Sequence, residues 1–280
     1  MVKLLEGKPL ADKIKEEIKL KVASLKNKPV LASILIGDDP SSVAYVKSQA
    51  KTAQSLGITY KLHQLDINIT QRGLIDFISG LNADKTVNGI IVQTPLPVAI
   101  DYKIISGCIS PLKDIEGMHA LNMGKMFFSQ ADLVPCTAGA VMELLNSIGA
   151  NLSGKEVVVV GHSEIVGKPL ALLLLEKLAT VTVCHIGTSK ANKLEEHVRR
   201  AEVLIVAVGQ AGLIKGKWIK KGAIVIDVGI NRVNGLIVGD VEFAAAAKRA
   251  AYISPVPGGV GPLTVAMLMR NLLQAVKLQQ

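Results

Sequence analysis

Residues 155–186 read KEVVVVGHSEIVGKPLALLLLEKLATVTVCHI. An apolar run ends at Gly161, a helix-spaced segment starts at Gly167, and TVTVC closes the stretch. The order is strand, glycine turn, helix, strand, a βαβ unit whose two strands must run parallel. The turn has Gly-x-Ser-x-x-x-Gly spacing rather than G-x-G-x-x-G. Backbone amides at such a helix N-terminus suit a pyrophosphate, although an ordinary tight strand–helix connection explains the turn equally well by itself. The next two apolar runs weigh for a cofactor. AEVLIVAVG (201–209) and AIVIDVG (223–229) are two more buried strands, ended by Gly209 and Gly229. Glycine-ended strands are where a dinucleotide lies across a doubly wound sheet.

Toward the N-terminus the alternation continues. Pro9 to about Leu25 has helical spacing through Leu10, Ile14, Ile18 and Val22. VLASILIG (30–37) is a short buried strand ended by Gly37-Asp38-Asp39-Pro40. A helix from about Ser42 to Leu56 stops at Gly57, a C-terminal glycine. ITYKLHQLD is a second strand, residues 70–81 a helix, and VNGIIVQTPLP (87–97) a third strand closed by prolines. Residues 110–135 read as loop, and 138–148 as the helix leading into the second unit. The tail, PVPGGVGPLTVAMLMRNLLQAVK (255–277), is a rigid turn and then a helix. Strands alternating with helices predict an α/β protein with parallel sheets in two lobes.

Composition narrows the function. Among 280 residues 49% are apolar and only 3% aromatic, so the core is aliphatic. The net charge of +9 is spread along the chain without interleaved aromatics, which argues against nucleic acid and for attraction of anionic small molecules. Cys108, Cys136 and Cys184 have no paired spacing, which points to reduced thiols in a cytoplasmic protein and against a metal site. The N-terminus lacks a signal-peptide block, and PLALLLL (169–175) is too short to cross a bilayer, so no membrane role is expected. Histidines 63, 119 and 197 lack metal-ligand spacing and read as solvated or structural, and His185 as a strand-end packing or ribose-edge residue.

Taken together and in order, Tyr45 on its helix, VQTPLP around Gln93, KDIEG at 113–117, PCT at 135–137, GHSEIVGKP at 161–169, DVGINR at 227–232 and PVPGGVGPLTVAML at 255–268 carry a resemblance. The chain resembles the bifunctional methylenetetrahydrofolate dehydrogenase/methenyltetrahydrofolate cyclohydrolases over nearly its whole length. The resemblance implies a catalytic, folate-binding domain at 1–136, with the helix 262–280 packing back on it, and a Rossmann-type NAD(P) domain at 137–261, with a cleft between them. It implies catalytic positions Tyr45, Gln49, Gln93 and Glu116. Tyr45 would stack on the pterin, Gln93 would hydrogen-bond, and Glu116 would take the pterin's amino edge, with Pro257, Gly258 and Gly259 lining the pocket. It further implies cofactor contacts at Gly161, His162, Ser163, Ile165, Val166, Ile186, Gly209, Gly229, Ile230 and Thr264, with NADP as the cofactor and a homodimer as the assembly.

The chain departs from the family pattern in three respects. Four residues after the tyrosine the family has lysine, and this chain has Gln49. Hydrolysis of a methenyl group needs water activation and proton transfer, which a carboxamide cannot supply; losing such a group costs about 10²–10⁴-fold. Lys47 and Lys51, offset by two residues, point to other faces of the helix. Hydride transfer needs positioning more than protons, so the dehydrogenase is expected to persist and the cyclohydrolase to be weak or lost. The alternatives are a fully bifunctional enzyme in which Glu116 or water replaces the lysine, and a catalytically silent binding paralogue. Second, Glu116 stands where the family has aspartate, one methylene longer. Third, His162 and Ile186 replace the arginine and the serine or basic residue that meet a 2′-phosphate, which keeps NAD as the alternative cofactor.

Overall fold

A computed structural model describes residues 2–280. The chain divides into two units, one of residues 2–12 with 137–264, the other of 13–136 with 265–280.

The second of these is built on a three-stranded parallel sheet in the order Thr59–Leu65, Val30–Ile36, Gly89–Val92. The central strand is apolar at nearly every position because both faces are covered, as parallel sheets require. Leu74, Ile78 and Ile105 pack from two helices, Gln71–Ala83 and Tyr102–Cys108, against Ala32, Ile34, Ile90 and Val92. The helix Pro40–Ser55 starts where Asp39 accepts hydrogen bonds from the Ser41 and Ser42 amides, and it ends before Gly57 at φ +78°. Residues 110–135, expected as loop, contain the helix Ala120–Phe127. His119 caps it by accepting from the Leu121 amide, and Met126 buries itself beneath. An eight-residue helix leaves too short a period to stand out from its sequence.

The other unit carries a six-stranded parallel sheet in the order Lys3–Leu4, Tyr252–Ile253, Ile224–Asp227, Val203–Val206, Glu156–Val160, Thr180–Cys184. From Glu156–Val160 the chain goes first to one side, to Thr180–Cys184, then returns to the other, to Val203–Val206. That reversal is the switch point of a doubly wound sheet, and ligands bind beyond the strand ends there. A two-residue edge strand, Lys3–Leu4, is the reason residues 2–12 belong to this unit: its pairing with Tyr252–Ile253 outweighs its sequence position. An antiparallel hairpin, Asn231–Val233 with Leu236–Val238, turns at Asn234-Gly235, both with positive φ. No helix among the described residues is long and apolar enough to cross a membrane.

Candidate active site

In the unit of residues 13–136 and 265–280, Tyr45 and Gln49 share one face of Pro40–Ser55. Tyr45 is 39% exposed, whereas Gln49 is fully buried. Lys47 and Lys51 are exposed on other faces, as their offset predicts. Gln93 comes directly after the strand Gly89–Val92, and its Nε2 donates to Ser33 Oγ (3.0 Å) and to Gln49 Oε1 (2.9 Å). The Tyr60 hydroxyl donates to the same Gln49 oxygen at 2.9 Å. Burial pushes the Tyr60 phenol up to about 12, so this network holds no group that titrates near neutrality. Gln49 Nε2 is buried with no hydrogen-bond partner among the described residues. A buried donor left unpaired costs about 1–3 kcal/mol, which makes it a ready anchor for an acceptor on a ligand. The turn after Gln93 contains a cis Thr94–Pro95 bond and is tied to the Tyr45 helix by Ser42 Oγ, which donates to Thr94 O at 3.0 Å.

Glu116 belongs to a second cluster. Ile90 N donates to Lys113 O, and Ile90 and Asp114 form a parallel bridge, so the KDIEG segment runs beside the strand that leads to Gln93. Asp114 is a structural carboxylate, accepting from His119 N (2.7 Å) and Asn122 Nδ2 (2.9 Å). Burial, and then the Asp114 charge, push the Glu116 carboxyl up to about 8. Tyr102 lies close enough to feel both carboxylates; burial first, then their charge, pushes its phenol up. Burial, Glu116 and Asp114 also push the Cys136 thiol well up, which removes it as a nucleophile. Asn271 of the helix Gly261–Leu278 donates to Ile115 O and Val134 O, both at 2.8 Å, and so holds the two flanks of this loop.

Sequence reasoning missed Ser33, Tyr60, Tyr102 and Asn271. Ser33 had a signal, as the one polar residue inside VLASILI, and Asn271 another, as an amide on the buried face of an apolar helix. The tyrosines had none.

In the other unit, Gly161 comes directly after Glu156–Val160 at φ +126°. A Cβ there would overlap Ala207 O, and one at Gly167 would overlap Gly161 O. The two glycines therefore answer first to backbone packing at the switch point. No side chain caps the helix Gly167–Leu175, which leaves its N-terminus suited to a phosphate. Gly161, His162, Ser163 and Ile186 line a cavity of about 320 Å³ together with His185, Ser189, Val208 and Gln210. The His162 and His185 rings lie 5.2 Å apart, and neither lysine nor arginine lines this wall. Ile165, Val166 and Gly209 are not among its lining residues. A smaller cavity, about 190 Å³, is lined by Asp227, Gly229, Ile230 and the turn Pro257, Gly258, Gly259, which contains a cis Val256–Pro257 bond. Thr264 is not in that wall; its hydroxyl donates to Gly261 O. The cavities and the uncapped helix suit an extended dinucleotide along the strand ends.

A glycine turn at the switch point of a doubly wound sheet, joined in one chain to a second parallel-sheet unit with a buried amide network, defines a dinucleotide-binding α/β enzyme. Residues 5–116 match the catalytic-domain model of tetrahydrofolate dehydrogenase/cyclohydrolase, and residues 135–280 its NAD(P)-binding-domain model. The chain belongs to the tetrahydrofolate dehydrogenase/cyclohydrolase family. It is 48% identical to the bifunctional protein FolD of Bacillus pumilus, over 98% of this chain and 97% of that one. The crystal structure of the bifunctional FolD of Campylobacter jejuni matches with a TM-score of 0.97 at 44% identity, over the full length of both. A Trypanosoma brucei dehydrogenase–cyclohydrolase complexed with NADP and an inhibitor matches at 0.93 and 40% identity, covering 99% and 97%.

Proposed function

We propose that this enzyme oxidises 5,10-methylenetetrahydrofolate to the 5,10-methenyl form and carries little or no cyclohydrolase activity. The observation that carries the second half is the Gln49 network. Ser33, Gln93, Gln49 and Tyr60 form a chain of neutral groups in which both Gln49 oxygen contacts are donors and no member exchanges a proton near pH 7. Such a chain positions a ligand but does not activate water. Tyr45, exposed one turn before Gln49, offers its ring to the pterin, and Gln49 Nε2 offers the unpaired donor. Glu116 accepts from the pterin's amino edge in its ionised form, so substrate binding displaces a proton from it. Of the folate-side residues, Tyr45, Gln49, Gln93 and Glu116 thus belong to 13–136 with 265–280, while Pro257, Gly258 and Gly259 belong, with the dinucleotide-side residues, to 2–12 with 137–264.

When bound, the nicotinamide accepts the hydride. The chain's part is to hold the dinucleotide with the uncapped helix N-terminus and the Gly161 and Gly229 turns. NADP, present in the trypanosomal relative, is the proposed cofactor. A wall of His162, Ser163 and Ile186 without a guanidinium favours a second reading in which NAD serves as well or better. A cytoplasmic homodimer completes the proposal, on the family resemblance and the three unpaired thiols.

The test mixes purified protein with 5,10-methylenetetrahydrofolate and either cofactor and tracks reduced nicotinamide and methenyl product together. Reduced cofactor with methenyl product decaying at the buffer rate is expected. Faster decay would mean that Gln49 is compensated, and absence of reduced cofactor would sink the dehydrogenase.

A further inference from the structure

Asp240 is fully buried, and its charge is met by four N–H donors. Oδ2 accepts from the amides of Val208 (2.8 Å) and Gly209 (3.0 Å); Oδ1 accepts from the Gln210 amide (2.8 Å) and from Asn231 Nδ2 (2.9 Å). Val208 and Gln210 line the larger cavity, while the 227–230 segment that leads into Asn231 lines the smaller one. A second buried carboxylate fixes Asp240 in turn: Asp227 accepts from the amides of Gly229, Asp240 and Val241. The fit is close on both sides. A Cβ on Gly229 would overlap the Asp240 carboxylate, and one on Gly239 would overlap that of Asp227.

We infer that Asp240 is a positioning residue for the dinucleotide: one carboxylate sets the loop after Val203–Val206 and the loop after Ile224–Asp227 at a fixed spacing, so that both walls of the cofactor site are formed before cofactor arrives. Three consecutive amides converging on one carboxylate leave the loop's backbone little choice of conformation. Such preorganisation acts on cofactor affinity, because displaced contacts lose binding even where no contacting residue is changed. This inference rests on the reading of that unit as the dinucleotide site.

In Asp240→Asn one oxygen becomes an NH₂ facing N–H donors, which unlocks one loop while the volume stays constant. The expected result, by calorimetric titration with NADP and with NAD and by steady-state kinetics, is a rise of about tenfold in dinucleotide Kd and KM. The folate KM and the kcat at saturating dinucleotide stay within about threefold on the same argument. A merely structural residue would lower the urea midpoint without this KM-against-kcat split. A folded Asp240→Asn with unchanged dinucleotide Kd would overturn the inference. If that variant does not fold, Asn231→Ala, which removes the amide that donates to Asp240 and, at 3.4 Å, to Val238 O, decides: a raised Kd supports the inference and an unchanged one overturns it. Wild-type protein that binds dinucleotide but never reduces it would sink the dehydrogenase reading and leave the Kd comparison intact.

Discussion

Gln49 Oε1 and Gln93 Nε2 are joined by a 2.9 Å hydrogen bond in which neither partner can take up or release a proton. The position one turn after Tyr45 is thereby committed to a neutral contact. Replacing Gln49 by lysine puts a titratable ammonium there, and both neighbours can adapt: Gln93 by turning its oxygen inward, the Tyr60 hydroxyl by accepting. Gln49→Lys is expected to raise methenyl hydrolysis by about 10²-fold or more over wild type. The check is the decay of methenyl absorbance against a buffer blank, and equal decay of variant and wild type would be the contrary result.

Glu116 gives a pH dependence. Its folded value is raised from the ordinary carboxylate range to about 8, and the ionised form is the one that accepts from the pterin. The folate kcat/KM should therefore climb as pH rises from about 6.5 toward about 8.5 and level off above, the course of a group whose ionised form binds. In Glu116→Gln the profile should be flat across that range and lower at its top. Stability runs the other way. The fold favours the protonated acid, so the contribution of Glu116 is present at low pH and is lost as pH rises from about 4.5 through 8. Glu116→Gln is expected to be the more stable protein at about pH 9, by about 2–4 kcal/mol, and to match wild type near about pH 5. Urea titrations at the two pH values measure it.

Asn271 donates to two carbonyls, Ile115 O and Val134 O. Asn271→Ala leaves both without that donor and should cost about 2–4 kcal/mol. Its folate KM should rise more than its dinucleotide KM, because the loop it holds carries Glu116. Denaturant unfolding and the two KM values test this.

The glycines of the dinucleotide unit separate by their surroundings. Gly161→Ala sets a Cβ against Ala207 O at φ +126°, so the turn must shift and dinucleotide affinity should fall at least about tenfold, on the order expected for misplaced binding groups. Gly209 has φ +68° but open space around it, and Gly209→Ala should cost only about 1–2 kcal/mol of stability. Calorimetric titration and thermal melts of the pair distinguish the two cases.

His162 and Ile186 line a wall that lacks a guanidinium. His162→Arg supplies a bidentate partner for a 2′-phosphate and should raise the NADP-over-NAD ratio of kcat/KM by about tenfold. An unmoved ratio would place the 2′-position elsewhere.

Much of this was legible in the sequence. VVVVG and VLIVAVG are uninterrupted apolar runs closed by glycine, the pattern of strands buried on both faces. Tyr45 and Gln49 sit four apart on a helix whose start and end are both written, in Asp39-Pro40 and Gly57. What stayed hidden arises from contacts between distant residues. Tyr60 meets Gln49 only through strand register, and Asp240 gathers amides 30 to 32 residues before it. The strand Lys3–Leu4 is two residues long and gains its place from Tyr252–Ile253. The Asn234-Gly235 turn, by contrast, was a readable hairpin signal that the apolar runs around it obscured.

The reach of Asn271 back to residues 115 and 134 also orders events during synthesis. The folate-side loop leaves the ribosome more than a hundred residues before the amide that pins it. Until the 261–278 helix has been made, the loop lacks the amide that bridges its two flanks. In the order of synthesis, the amide that pins the folate-side loop therefore follows every strand of the six-stranded sheet, Tyr252–Ile253 included.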